Sequence, residues 1–277
     1  MSGRKQHYLP AALIGGFGDS AGRDPRDAVV VWRRRRWEGP REAAAQYIGW
    51  RPGMYRLNDP PPGVDKDVVD KVWETVEPHL PHLVERLAAG RETAEDHSML
   101  MDYVAMAGVR HPNFAQAVNR WRAELGMPII TGDEVHVARL DVLTRGPQLV
   151  RGFRWRVLHT SPDAPRFILN DLSWTYIGQQ GWAGRGLYFP LSESVALVGW
   201  LKRGLTGGFD HQVLRPNWVR WLNAATWTEA PEFIVGHPAD ALDLAQQRTA
   251  KQVSERVTLA RGAFQDVAGQ RFLFDEV

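Results

Sequence analysis

The spacing between apolar residues changes twice along this chain of 277 residues, from a strand pattern to a helix pattern and back. This change limits the folds that the chain can adopt. Residues 29–32 are β-branched and aromatic, which predicts a strand. Over residues 64–77 the valines recur every four residues, which is the spacing of one helix face. From residue 153 apolar side chains alternate with arginines, as on a strand with one wet face. Strands therefore flank a helical middle without regular alternation, and we predict an α+β fold with a mainly antiparallel sheet.

Local signals set the expected ends of several elements. A second short strand is predicted over residues 54–57, before a proline-rich stop. The helix over residues 64–77 is expected to be bent or divided by the prolines that follow it and to continue to a stop at Gly90. Thr93 and Asp96 have the spacing of a capping box at the start of the next helix. The remaining predictions are an end of that helix at His111-Pro112 and further helices over 134–145 and 239–256.

The composition narrows the class of protein. The chain is long enough for a substantial core and has no visible repeat or long linker, so we expect a single domain over residues 1–277. No apolar run approaches the roughly 20 residues that span a bilayer and no signal peptide is visible, so we expect a cytoplasmic protein without a membrane partner. The absence of cysteine excludes disulfides, thiolate metal sites and cysteine nucleophiles. The formal net charge of +2 indicates no global attraction for nucleic acid, which leaves a local one open.

A run of four arginines between two tryptophans is the strongest local basic feature. As an extended segment it presents two arginines on each face, with the tryptophans beside them. Arginines bind phosphates and tryptophans stack on bases. The predicted contacts for nucleic acid or a nucleotide are Trp32, Arg33, Arg35 and Trp37. The alternative is a charged edge strand that discourages aggregation.

Short motifs spread over most of the chain resemble one family. HYLP at residues 7–10 and the following Phe17 stand where members of that family have HYVP and a phenylalanine. The helical middle carries Glu77, and Arg110 stands just ahead of a proline, as in the family. FILND at residues 167–171 and FPLS at residues 189–192 are similar to its aspartate segment and to its proline-leucine-serine strand start. In this order the motifs resemble the bacterial domain of unknown function 4238 family.

The resemblance implies a compact bacterial α+β domain and no particular reaction. The sequence departs from the family's pattern in three places. Ile14-Gly15-Gly16 replaces the leucine-arginine before the opening phenylalanine, and Leu169-Asn170 replaces the threonine-serine before the aspartate. Leu172 follows Asp171 where the family has a proline, so the aspartate loop loses a rigid residue.

His7, Glu77, Arg110 and Asp171 are the candidate catalytic residues, and each lies where a predicted element begins or ends. A histidine titrates near neutrality, carboxylates hold a metal or act as a base, and an arginine binds phosphate bidentately. One imidazole with two carboxylates suits a hard or borderline divalent ion, so His7, Glu77 and Asp171 are the predicted ligands of Mg²⁺ or Mn²⁺. In the alternative interpretation His7 caps a turn, Glu77 pairs with Arg110, and Asp171 accepts backbone hydrogen bonds.

These residues predict a metal-assisted hydrolase of phosphodiesters or nucleotides, similar to a nuclease and serving in defence or as a toxin. In it His7 is a base or ligand, Glu77 and Asp171 are ligands or acid–base groups, and Arg110 clamps a phosphate. The alternative is a module without chemistry, whose arginine- and tryptophan-rich strand recognises nucleic acid or a partner. Stability separates the two, because truncating a structural polar residue costs about 1–3 kcal/mol, whereas removing an active-site residue is often neutral.

Overall fold

A computed structural model of the chain describes residues 5–20, 22, 24–34, 39–178, 185–201 and 209–240. The helices are α1 (Ala11–Gly15), α2 (Val68–Trp73), α3 (Leu80–Ala88), α4 (Ala94–Arg110), α5 (Phe114–Glu124), α6 (Asp133–Arg151) and α7 (Pro216–Glu229). The strands are β1 (Gln6–His7), β2 (Val29–Arg34), β3 (Arg41–Ala44), β4 (Trp50–Arg51), β5 (Phe153–Thr160), β6 (Leu169–Asn170), β7 (Thr175–Gly178), β8 (Arg185–Pro190), β9 (Val195–Leu201), β10 (Asp210–Leu214) and β11 (Phe233–Gly236).

Two larger sheets and one short pair contain these strands. The five-stranded sheet has the order β10-β5-β9-β8-β7, and the four-stranded sheet has the order β3-β2-β11-β6. β1 pairs with β4. Each of these pairings is antiparallel except that of β10 with β5, which is parallel. The predicted α+β fold is therefore confirmed, with the antiparallel strands divided between separate sheets.

The helical middle and the five-stranded sheet share one apolar core. Leu83 and Leu87 of α3 are fully buried in the same cluster as Val157 of β5 and Leu197 of β9. Full burial of a leucine or valine stabilises the fold by about 1.5–3 kcal/mol relative to exposure. α6 and α5 pack against α4, whereas α7 packs against β7 and β6.

Two predicted boundaries in the first third of the chain are wrong. Residues 54–57 form no strand, because Gly53 has a φ of +61° and opens a turn over residues 52–55. The Tyr55 N–H then donates to the side chain of Gln6, at 2.7 Å, rather than to a neighbouring strand. The helix predicted over residues 64–77 occupies only α2, since Glu77 begins a separate 3₁₀ turn. A proline follows Glu77 and disfavours helical backbone there.

Both ends of α4 match the sequence signals. Thr93 Oγ1 accepts a hydrogen bond from the Asp96 N–H at 3.3 Å, and Asp96 Oδ2 accepts one from the Thr93 N–H at 2.8 Å, which completes the predicted capping box. The helix ends at Arg110, directly before His111 and its proline, as expected. The helix predicted over residues 134–145 is also present and extends over the whole of α6.

The predicted C-terminal helix over residues 239–256 lies outside the described residues, apart from Ala239 and Asp240 in a 3₁₀ turn. Within the ranges that the structure covers, no helix combines the length and the apolar composition that crossing a membrane requires.

Candidate functional site

The four predicted catalytic residues meet at the C-terminal end of α4, although they come from distant parts of the sequence. The Arg110 guanidinium forms an ion pair with Glu77 and donates a hydrogen bond to the backbone carbonyl of His7. The next residue, His111, lies with Nε2 3.1 Å from Asp171 Oδ2. Arg110 therefore contacts both Glu77 and His7 directly. Asp171 joins them through His111, which the sequence had indicated only as a helix breaker.

Arg110 is held deep inside this cluster. The residue is 2% exposed, and its guanidinium lies 5.0 Å from the centre of the Trp73 ring. Burial alone would lower the pKa of Arg110, but Glu77 and Tyr55 together outweigh it and raise the pKa. A phosphate clamp needs an exposed guanidinium edge. Because Arg110 presents almost none, the geometry supports its pairing with Glu77 and gives no support to the clamp.

The His111–Asp171 pair has its hydrogen-bonding positions occupied. The Asn113 N–H donates to His111 Nδ1 at 3.1 Å, so the proton of the neutral ring lies on Nε2 and is donated to Asp171. The Asp171 carboxylate also accepts from the backbone N–H groups of Glu232, at 3.1 Å, and Phe233, at 3.4 Å. Asp171 thus fixes the start of β11 against the end of α4, which agrees with the alternative interpretation of this residue.

His7 is half-buried beside the same network. Its Nε2 lies 3.3 Å from the backbone carbonyl oxygen of Gln46. Desolvation lowers the pKa of His7, and the charges of Arg110 and Lys5 add to this effect, against the hydrogen bond to Gln46, which raises it. Within the described residues no group of three or more histidine and acidic side chains is arranged to hold a metal ion. The predicted Mg²⁺ or Mn²⁺ site of His7, Glu77 and Asp171 thus gains no support from their geometry.

The predicted nucleic-acid contacts are only partly described. β2 pairs with β3 through residues 29–32 and with β11 through residues 31–34, so within the described residues Trp32 has strand partners on both sides and Arg33 and Arg34 on one. The alternative of a charged edge strand stays a prediction for these arginines. Arg33 is 5% exposed, with its guanidinium 5.9 Å from the centre of the Trp227 ring, and Trp32 is half-buried. Arg35 and Trp37 lie outside the described residues. Arg33 therefore contributes mainly to packing.

A chain of three side chains that the sequence did not indicate lies near the other end of α4. Glu92 directly precedes the N-cap residue Thr93, His159 is near the end of β5, and His211 is on β10. His211 Nε2 lies 2.7 Å from Glu92 Oε1, and His211 Nδ1 lies 2.8 Å from His159 Nε2. The two imidazole planes are only 18° apart, so the contact between them is an in-plane hydrogen bond. We refer to Glu92, His211 and His159 as the relay.

The carboxylate at one end of the relay determines where the protons lie. An ionised Glu92 only accepts, so His211 Nε2 carries a proton and, in the neutral ring, Nδ1 is an acceptor. His159 must then donate from Nε2, which leaves His159 Nδ1 with a free lone pair. Within the described residues this nitrogen has no hydrogen-bond partner, and it belongs to a half-buried ring. The relay therefore ends in a base.

The electrostatics of the relay agree with these proton positions. Burial of Glu92 alone would raise its pKa, but the hydrogen bond from His211 and the backbone outweigh this and lower it. Desolvation, followed by the neighbouring His211, lowers the pKa of His159, against the opposing effect of Glu92. His159 is thus kept unprotonated near neutral pH while Glu92 stays ionised.

Sequence spacing gives almost no signal for the relay. Glu92 and His211 are 119 residues apart, and His159 and His211 are 52 apart. The parallel pairing of β5 with β10 brings the two histidines together, with His211 beside Val157 in the register. The sequence shows only one histidine in each of these two strands, which is too common a feature to define a site.

Comparisons with known proteins add no family or homologue to this picture. No protein-family model, no curated protein and no solved structure matches the chain. The likeness of its short motifs to the domain of unknown function 4238 family remains a resemblance.

Proposed function

We propose that the protein is a hydrolase in which His159 is the general base, backed by His211 and Glu92. The observation that supports this is His159 Nδ1, which has no partner among the described residues and stands at the end of a hydrogen-bonded chain that begins at a carboxylate. A base held in a fixed tautomer by a second group, itself oriented by a carboxylate, is the arrangement that general-base catalysis uses. Positioned bases of this kind contribute about 10²–10⁴-fold to a rate.

The proposed step moves one proton along the relay. His159 Nδ1 removes a proton from water, and the oxygen of that water forms the new bond to the electrophilic atom of the substrate. The His159 Nε2 proton passes to His211 Nδ1, so the positive charge comes to rest on His211, next to Glu92. The bond to the leaving group then breaks, and the leaving oxygen takes a proton back from the relay. Atoms and charge balance without a further reactant.

Phosphodiesters and nucleotides are the first substrates to test because the sequence predicted a hydrolase of that class. The formal net charge of +2 supplies no global attraction for them, so the panel also tests this choice. The relay itself needs no metal, and Mg²⁺ and Mn²⁺ enter the test as additions because the sequence predicted them.

The test is a comparison of four variants on a defined panel. The panel consists of bis(4-nitrophenyl) phosphate, nucleoside triphosphates, single-stranded DNA and RNA, each with and without Mg²⁺ or Mn²⁺. We expect His159→Ala to lower kcat at least about 100-fold, and His211→Asn and Glu92→Gln to lower it by smaller factors. His82→Ala is the matched control, because His82 lies on the surface with 73% of its side chain exposed and pairs with Glu85, outside the relay.

Two outcomes would reject the proposal. One is wild-type kcat in His159→Ala on a substrate that the wild type hydrolyses, and the other is no hydrolysis of any panel substrate. A second readout is independent of substrate. Long-range ¹H–¹⁵N NMR spectra should show both His159 and His211 protonated on Nε2 near neutral pH, with the His211 signal displaced in Glu92→Gln. A proton on His159 Nδ1 would contradict the relay itself.

A further inference from the structure

A polar cavity of about 310 Å³ lies where β5 ends, and its lining includes Thr160, the last residue of that strand, but none of the three relay residues. That volume is at the lower limit of the range for small-molecule sites. Ala164 lies between two prolines, Pro162 and Pro165, and together they give the cavity an apolar wall. Its polar lining consists of Thr160, Ser161, Arg166, Glu193, Ser194 and Asp240.

Arg166 holds both carboxylates of this cavity in place. Its Nε lies 2.8 Å from Glu193 Oε2, and its Nη1 donates to Asp240 Oδ1 at 2.9 Å. Arg166 therefore orients both carboxylates, and His237 Nε2 lies 3.8 Å from Glu193 Oε2. Two carboxylates beside one guanidinium among the lining residues disfavour a phosphate or carboxylate ligand.

Hydrogen-bonding capacity remains unused in the cavity. Glu193 Oε2 is buried against Arg166 and out of reach of a ligand, whereas within the described residues Glu193 Oε1, on a side chain that is 35% exposed, accepts no hydrogen bond. Among the same residues Arg166 Nη2 donates to none, and the Ser161 hydroxyl has no partner. The cavity therefore offers acceptors and donors side by side, which suits a neutral ligand carrying several hydroxyl groups.

We propose that this cavity binds a sugar ring through two neighbouring hydroxyl groups. One hydroxyl donates to the Glu193 carboxylate, and the other accepts from Arg166 Nη2. The carbon–hydrogen face of the ring packs on Pro162 and Pro165. The shared chemistry is a vicinal diol on a five- or six-membered ring, as in a nucleoside or a glycoside.

The test is an NMR titration of ¹⁵N-labelled full-length protein with three probes. These are methyl β-D-ribofuranoside, its 2-deoxy counterpart and methyl α-D-glucopyranoside. We expect saturable shifts of the Ser161 and Ser194 amides with at least one of the two intact glycosides, and the one that binds identifies the ring size. The deoxy probe should bind at least about tenfold more weakly than the riboside if the furanose is the ligand, because a site that hydrogen-bonds a hydroxyl rejects an analogue without it.

Variants assign the binding to the cavity. Glu193→Gln should weaken binding at least about tenfold, since it removes the charged acceptor. Asp141→Asn is the matched control, because Asp141 also pairs with an arginine, Arg145, in an exposed ion pair. The proposal is overturned by absence of saturable shifts with both intact glycosides, by equal binding of the riboside and its deoxy counterpart, or by wild-type affinity in Glu193→Gln. Because no turnover is measured, this result is independent of the hydrolase assay.

Discussion

The two ends of α4 differ in whether the imidazole and charged side chains there have all their hydrogen-bonding positions occupied. At the C-terminal end Arg110 and His111 are 2% and 4% exposed, and their partners Glu77 and Asp171 hold them in place. Near the N-terminal end, Glu92 begins a hydrogen-bonded chain whose last nitrogen has no partner among the described residues. A network closed on all sides fixes one arrangement of the backbone, whereas a chain with an open end has an acceptor to offer a substrate.

This difference separates residues that stabilise the fold from residues available for chemistry. Buried ionic groups are strongly destabilising to break, because one partner is left as an uncompensated charge. An open-ended base costs the fold little when it is removed. Substitutions at the two ends of α4 should therefore differ in kind, with losses of stability at one end and losses of activity at the other.

The largest loss of stability is expected from Arg110→Met. The change leaves Glu77 without its cation and removes the hydrogen bond to the carbonyl of His7. Breaking a buried pair typically costs about 3–5 kcal/mol. Glu77 keeps 28% of its side chain exposed, so water solvates part of its carboxylate in the variant. We therefore expect a loss of stability near the lower limit of that range. Urea unfolding monitored by tryptophan fluorescence measures the loss.

Two further variants test the comparison between the two ends of α4. Glu77→Gln retains a hydrogen-bond acceptor for Arg110 and should cost less than Arg110→Met, which gives a measurement even where the latter does not fold. His159→Ala should lower the free energy of unfolding by less than about 1 kcal/mol. Equal losses in Arg110→Met and His159→Ala would remove the distinction between the two ends of the helix.

An intermediate effect is expected from Thr93→Ala at the N-terminal end of α4. The change removes the capping hydrogen bond to the Asp96 N–H and should cost about 1 kcal/mol. Because Glu92 is the preceding residue, we also expect a lower hydrolytic rate. Thr144→Ala is the control, since its hydroxyl donates within α6 to the Asp141 carbonyl and caps nothing. A loss in Thr93→Ala no greater than in Thr144→Ala would show that the cap does not support this end.

The same comparison explains which features of the structure could be predicted from the sequence. Periodicity predicted the α+β class, and local signals such as the capping box and His111-Pro112 predicted both ends of α4, because these features depend on neighbouring residues. The pairing of Glu77 with Arg110 was available as an alternative from charge alone. The relay was not predictable, since it depends on the parallel register of β5 and β10, which brings together residues that no motif links. The burial of Arg33 likewise depends on Trp227, from a distant helix.

The smallest expected effect is a decline of stability as the pH is lowered from about 7.5 to about 6. Burial lowers the pKa of His7, His136 and His159 below 6.5 in the folded protein. The unfolded chain therefore binds more protons in this window, and the free energy of unfolding falls with the pH. Asp70 and Asp102, whose pKa values are raised from 3.8 by burial, act in the opposite direction, so the measurement stays above pH 6, away from their ordinary range.

Urea unfolding at several pH values measures the slope of the free energy of unfolding against pH. Comparing the wild type with His7→Ala and His159→Ala shows how much each end of α4 contributes to that slope. Each variant should be less sensitive to pH than the wild type, because each removes one group that the fold keeps neutral. His82→Ala should leave the slope unchanged, since His82 is on the surface. A free energy of unfolding that rises on acidification would contradict the assignment. A reduced slope in His159→Ala with little change in stability at pH 7.5 would show that the fold tolerates loss of the relay's terminal base while still keeping that base uncharged.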